Sequence, residues 1–253
     1  MAMSGAAGVA SLGVGEAAVA VEAPARDYYE LRRYAVETEA QRDGLVAFMG
    51  EAAIPALNRI GANPVGVFLD AKDLSPVYVL LRHPSAASMA TSTQQLLTDQ
   101  TFLEKGAAFL DAPAATPAYA RVETSLLVAF TGMPQLATPS TAPGRVFQLR
   151  IYESPSVKTG QKKIEMFNTA ELDIFRKTGL NAVFFGEALA GDKMPNLTYM
   201  LAFDSKDAQK AAWNAFRADP DWKKLSAMPE YANDRILCGI TNLSLVPAAC
   251  SQM

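Results

Sequence analysis

The hexapeptide Tyr29-Glu30-Leu31-Arg32-Arg33-Tyr34 constrains this chain most, because it recurs as Phe147-Gln148-Leu149-Arg150-Ile151-Tyr152. Both copies are aromatic and alternate in polarity, the pattern of a strand. Leu149 follows Leu31 by 149 − 31 = 118 positions, and the same interval separates Tyr152 from Tyr34, Gly179 from Gly61 and Asn181 from Asn63. Further on, Tyr199 aligns with Tyr78 at 199 − 78 = 121 and Trp222 with Phe102 at 222 − 102 = 120. An interval that drifts by two or three residues at a hairpin loop, where insertions are tolerated, marks a duplicated unit.

Each unit has the same predicted order. In the first, Tyr28 to Val36 reads as a strand, and Thr38 to Ile60 as a helix interrupted at Pro55 and stopped by Gly61. Pro64 to Leu69 and Val77 to Arg82 form a hairpin. Ser85 caps a second helix to about Leu97, a further helical turn covers Thr101 to Leu110, and Arg121 to Phe130 is a fourth strand. In the second unit the strands are Val146–Glu153, Asn181–Ala188, Leu197–Phe203 and Arg235–Val246, with helices over Thr159–Lys177 and from Asp204 or Ser205 to Ala218. The order β-α-β-β-α-β is the split, ferredoxin-like plan, so the fold class is α+β with two tandem ferredoxin-like domains. The expected boundaries are 26–131 and 145–247, joined by a Pro-rich linker at 132–144 and followed by a tail at 248–253.

A chain of 253 residues that is half hydrophobic and 19% charged can bury two such cores. Its net charge of −3 with scattered Lys and Arg argues against a nucleic-acid partner. One histidine and two cysteines exclude a Cys/His zinc module, and neither a metal nor a cofactor is predicted. No run of 18 apolar residues exists that would span a membrane. Residues 1–25, rich in Ala, Gly and Val, read either as a signal-peptide remnant or as a flexible extension. The first implies export to the periplasm or outside, the second a cytoplasmic protein. Gly13 to Ala18 matches a dinucleotide fingerprint on paper, but no strand precedes it.

The opening hexapeptide, Gly61 and the run Pro64-Val65-Gly66-Val67-Phe68 resemble the start of a NIPSNAP domain. The segment from Ala212 to Trp222 (AWNAFRADPDW) is similar to that family's helix-ending signature. The resemblance covers nearly everything after Arg26; the first unit departs from it at Leu97 to Phe102, which lacks the proline and both tryptophans. It implies two domains paired sheet to sheet as an intrachain dimeric α/β barrel. No reaction is settled for the family, so the resemblance supplies a fold more than a function.

One face of each sheet should meet helices and the other its partner sheet. Phe147, Leu149, Ile151 and Leu31 are apolar and are expected under the helices. Glu30, Arg32, Tyr34, Gln148, Arg150 and Tyr152 then face the cleft between the sheets and form the candidate ligand-binding set. There the arginines would meet an anionic or carbonyl group and the tyrosines would donate hydrogen bonds. The plainer alternative is that these polar groups satisfy one another across the two halves.

His83 is expected at an exposed strand end, Trp213 and Phe216 in the core, and Cys238 buried on the closing strand. A Cys238–Cys250 disulfide is not deducible, and Asn196 and Asn242 open sequons by pattern only. Three functions fit. The first is a non-enzymatic module binding a small ligand or a protein between the sheets. The second is a cofactor-independent oxygenase acting on a small aromatic substrate, by fold analogy. The third is a purely structural subunit of a homo-oligomer.

Overall fold

The computed structural model describes Met1 and residues 25–253. The signal-remnant or extension reading, and the Gly13–Ala18 run with it, fall on residues outside the described ones. The first half contributes β1 (Tyr28–Ala35), α1 (Glu39–Phe48), α2 (Ile54–Arg59), β2 (Val65–Asp70), β3 (Val77–His83), α3 (Ala86–Leu96), α4 (Gln100–Leu110) and β4 (Arg121–Ala129). The second contributes β5 (Val146–Glu153), α5 (Val157–Met166), α6 (Leu172–Thr178), β6 (Ala182–Ala190), β7 (Asn196–Phe203), α7 (Lys206–Ala218), α8 (Pro220–Ser226), α9 (Asn233–Ile236) and β8 (Gly239–Pro247). The class is α+β. All strand pairs are antiparallel, and the eight strands close into a barrel in the order β1-β3-β2-β8-β5-β7-β6-β4.

Local chemistry explains the element ends. Thr38, Ser85, Asp99, Ser156, Ser205 and Asp219 each accept a backbone N–H from the first turn of the helix they precede. Gly61 and Gly179 stop α2 and α6 with φ of 81°, a left-handed conformation that favours glycine. The long helix is divided next to Pro55. This proline lies in the first turn of α2, and a π-helical turn at Met49–Ala53 joins α2 to α1. A second π turn, Phe167–Glu171, joins α5 to α6.

An eight-stranded barrel has an interior just wide enough for side chains to fill. Tyr29, Leu31, Phe68, Leu80, Leu127, Phe147, Leu149, Phe184 and Met200 do so, in one buried apolar cluster. Each large side chain buried there contributes roughly 2–3 kcal/mol. Two other clusters lie outside the barrel wall, one under α1, α2 and α4, the other under α5, α6 and α7.

This arrangement reverses the expected faces. Leu31, Phe147 and Leu149 point into the barrel, not under the helices. Glu30, Arg32, Tyr34, Gln148, Arg150 and Tyr152 therefore stand on the helix-covered outer face, where Tyr34 and Tyr152 join the two outer clusters. The space between the sheets is an apolar core rather than a polar cleft. A closed interior has no route to water and cannot hold several charges cheaply. The outer face, only partly roofed by helices, can.

Strand registers also correct the alignment of the halves. Val79 lies opposite Arg32 and Tyr199 opposite Arg150, so Tyr199 corresponds to Val79 at 199 − 79 = 120, and not to Tyr78. Tyr78 faces the barrel interior and Tyr199 the helices. The closing strand starts later than expected, because Asn233–Ile236 forms a helical turn. Cys238 consequently precedes β8 and is exposed rather than buried, and both cysteines are free. The C-terminal residues are docked: Gln252 N–H donates to the Val65 carbonyl at 3.0 Å, and Met253 is buried in the barrel cluster.

Candidate functional site

Equivalent positions on β1 and β5 carry the six residues singled out above, and the two halves treat them differently. On β1, Glu30 is 4% exposed. Its Oε1 accepts from Arg32 Nε at 2.5 Å, and its Oε2 lies 3.0 Å from His83 Nε2. His83 Nδ1 lies 3.3 Å from Ser88 Oγ on α3. His83 is thus wholly buried and not at an exposed strand end; Tyr28 lies opposite it on β1. Burial pushes the Glu30 carboxyl up, but His83 and Arg32 outweigh this and hold it below its ordinary value. Tyr34 packs edge-on against Tyr119 with ring centroids 5.3 Å apart. In this half the arginine and the carboxylate are paired with each other.

On β5 the glutamate becomes Gln148, and Arg150 loses the carboxylate its counterpart has. Gln148 Oε1 accepts from Trp213 Nε1 at 2.6 Å and from Gln209 Nε2 at 3.1 Å, while its Nε2 donates to Asn242 Oδ1 at 2.7 Å. With all three bonds inside the protein, Gln148 ties β5 to β8 and α7. The Arg150 guanidinium carbon instead lies 4.9 Å from the Trp213 ring centroid, 5.3 Å from Tyr152 and 6.0 Å from Tyr199. Its buried Nε has no hydrogen-bond partner in the protein, and among the described residues no carboxylate stands within 4.0 Å of it.

Beneath Arg150 are two closed pairs. The Tyr152 and Tyr199 hydroxyls are 3.0 Å apart, and burial pushes the pKa of each phenol up. Lys163 Nζ donates to Glu171 Oε2 at 2.8 Å and sits 4.6 Å from the Phe167 ring. Both members of this ion pair are buried; desolvation raises the Glu171 pKa against the opposing charge of Lys163. The π turn carries Glu171 inward, since it is one of that turn's two buried residues.

These groups floor a cleft of about 580 Å³ between the outer face of the second half's sheet and α7. That volume suits a small organic molecule. Its roof is one face of α7, where Lys206, Lys210, Trp213 and Arg217 recur at helical spacing. The walls are aromatic: Phe175, Phe216 and Trp222 join Tyr152, Tyr199 and Trp213. Five cations (Arg150, Lys163, Lys206, Lys210 and Arg217) line the cleft with one carboxylate, Glu171. Such a site can seat an anionic group on Arg150 and an apolar ring against the aromatic walls. Among the described residues no group of three or more His, Cys, Asp or Glu is placed to hold a metal.

The structure brings Gln148, Arg150 and Tyr152 together in this cleft and leaves Glu30, Arg32 and Tyr34 in the other half. Trp213, expected in the core, is half-exposed and forms part of the cleft wall. Lys163, Glu171 and Tyr199 were missed. The recoverable signal was Trp213 at helical spacing from three basic residues, together with the Glu30-to-Gln148 difference between the two halves. Asn196 is buried, with its amide donating to the Asp192 carbonyl at 3.0 Å, so its sequon is not presented.

Fold and site together define an α+β barrel protein with a basic, aromatic-walled cleft on one outer face. Residues 147–252, within the second half, match the NIPSNAP family model. Among solved structures it is similar over most of its length to two provisionally named monooxygenases. For the one from Fusobacterium nucleatum the identity is 9% and the TM-score 0.58, covering 89% of this chain and 94% of that one. For the one from Lactobacillus acidophilus the values are 9% and 0.59, covering 88% and 95%. A NIPSNAP-like domain protein from Burkholderia xenovorans matches at 13% identity and TM-score 0.37, covering 42% of this chain and 86% of that one. At 9% identity the two longer likenesses speak for the fold alone. No curated protein matches the chain.

Proposed function

We propose that this protein is a binding module for a small anionic molecule with a flat apolar body, held between β5 and α7 in its second half. The observation that carries this is Arg150. It is a cation set among three aromatic rings at the floor of an open cleft, and among the described residues it has no carboxylate partner. A half-buried charge left without a counter-ion costs stability, and a ligand anion would remove that cost.

The reading includes an origin by duplication, with each half a ferredoxin-like βαββαβ unit. Several features recur at a constant interval. The two π turns, the two left-handed glycines and the strands β1 and β5 are 118 positions apart. Within each half the strand order is also the same: β4-β1-β3-β2 and β8-β5-β7-β6. In this view the first unit keeps the structural version of the site, closed by Glu30 and His83, and the second has opened it.

Binding is tested by calorimetric titration of naphthalene-2-carboxylate against the neutral naphthalene-2-methanol. The acid should bind and the alcohol should not, and Arg150→Met should lose the acid while staying folded. Equal binding of acid and alcohol, or an Arg150→Met variant that binds like the parent, would overturn the proposal.

The second reading is an oxygenase acting on an aromatic substrate without a cofactor. It draws on the aromatic walls and on the name given to the two whole-length structural neighbours. Oxygen uptake with quinol-type substrates separates the two. No uptake, together with ligand-induced stabilisation, leaves the binding module alone.

A further inference from the structure

Resting on that binding reading, the cleft also shows what kind of anion it takes. Its cations form two separate tiers. The lower tier is Arg150, fixed in position by the rings of Tyr152, Tyr199 and Trp213. Lys163 adds little net charge there, being neutralised by Glu171 at 2.8 Å.

The upper tier is on α7. Lys206, Lys210 and Arg217 are exposed, line the same cleft, and lie on the helix face that also carries Trp213. Among the described residues none of the three makes an ion pair within 4.0 Å; Arg217 bonds only the neutral Asn214, at 2.7 Å. Elsewhere on the surface some basic residues are paired, as Arg33 with Glu123 and Lys177 with Asp219 and Asp221, and among the described residues others, such as Lys72 and Lys105, are not. What sets the α7 rim apart is that three unpaired cations line one opening.

Between the tiers the walls are rings. Trp213 stacks over Arg150 on one side and meets Phe216 edge-on at 5.6 Å, and Phe216 in turn packs against Trp222 at 4.3 Å. A ligand that uses the whole cleft has an anionic group at the floor, an apolar planar body along the rings, and a second anionic group at the α7 rim.

We infer that the ligand is a two-ended anion: a planar apolar body with one acidic group seated on Arg150 and another at the rim lined by Lys206, Lys210 and Arg217. A compound with only the first group leaves the rim charges to solvent. The rim runs along about 16 Å of helix, so the nearest cation meets the second group and the others add attraction, for about a tenfold gain.

The test compares naphthalene-2,6-dicarboxylate with naphthalene-2-carboxylate by titration calorimetry on the full chain. The dicarboxylate should bind about tenfold more tightly at low salt. In the triple variant Lys206→Gln/Lys210→Gln/Arg217→Gln that ratio should fall towards one, and raising the salt should compress it in the parent. Equal affinities for the two compounds in the parent would overturn the two-ended ligand and leave the anion-binding reading standing. A ratio that survives the triple variant would overturn the role of the α7 rim. If neither compound binds, both this inference and the reading beneath it fall.

Discussion

Arg150 lies with its guanidinium carbon 4.9 Å from the Trp213 ring centroid, while its counterpart Arg32 donates from Nε to Glu30 at 2.5 Å. The same strand position therefore carries an open cation in one half and a closed ion pair in the other. One difference between the two halves, Glu30 against Gln148, separates the two states.

That contrast predicts opposite responses to the same mutation. Arg150→Met removes a charge that no carboxylate among the described residues pairs with, so thermal stability should hold or rise slightly while anion binding is lost. Arg32→Met strips Glu30 of one partner inside the protein, where it is 4% exposed, and should cost roughly 3 kcal/mol. Thermal unfolding of the two variants side by side checks this, and equal losses would refute the asymmetry.

Glu30 also gives a pH dependence with a definite sign. Its folded pKa is held below the ordinary 4.5 by His83 and Arg32, against the upward push of burial. A lowered acid pKa contributes stability that is present above the ordinary value and is lost as pH falls through the folded one. Glu30→Gln should therefore be less stable than the parent near neutrality, and the gap should narrow below about pH 4.5. Urea midpoints taken from pH 3 to pH 7 measure it, and a gap that widens in acid would exclude this account.

The architecture was legible because it is written in strand alternation, caps and repeated spacing. The hexapeptide pair located β1 and β5, and the two glycines located the ends of α2 and α6. The face assignment was not legible, for a physical reason. Around Leu31 and Leu149 both sides of β1 and β5 are largely buried, inside by the barrel and outside by helices, so these apolar residues do not reveal which side is the interior. Closure itself decides that, and closure depends on the edge pairs β2–β8 and β4–β6, which no local pattern announces. His83 was misplaced for a similar reason. Its burial is explained by Glu30, far away in sequence and adjacent in space.

Asp219 joins three elements of the second half. Its carboxylate accepts from the backbone N–H groups of Asp221 and Trp222 at 2.8 and 3.1 Å, and Lys177 lies 2.7 Å away. Arg59 and Asp99 make the equivalent pair in the first half. Asp219→Asn keeps the cap and loses the ion pair; Asp219→Ala loses both. The alanine variant should melt lower than the asparagine variant and should redshift tryptophan emission as Trp222 loosens from Phe216. Identical melting of the two would show that the cap contributes nothing.

The two thiols should react at very different rates. Cys238 is exposed, while Cys250 is half-buried against the first half's helical cluster and burial pushes its pKa up. A chromogenic disulfide reagent should modify one thiol quickly and the second only slowly or on unfolding. Cys238→Ser should abolish the fast phase, and its persistence in that variant would contradict the placement of Cys250.

The buried Lys163–Glu171 pair yields the sharpest stability test. With both side chains almost wholly buried, Lys163→Met leaves Glu171 without a counter-charge and should cost about 3–5 kcal/mol near neutrality. The Glu171 carboxyl contributes with the opposite sign to Glu30, although both variants draw closer to the parent in acid. Desolvation already raises the Glu171 pKa, and removing Lys163 raises it further. A carboxyl whose folded pKa is raised contributes most below its ordinary value of 4.5, and that contribution is lost as pH rises through the folded value. The damage in Lys163→Met should therefore shrink on acidification, and the double variant Lys163→Met/Glu171→Leu should recover most of the lost stability at every pH. If the single variant is equally unstable from pH 5 to pH 8, Glu171 is not titrating in that pocket. If the double variant is no better than the single, the cost lies in packing around Phe167 and not in the stranded charge.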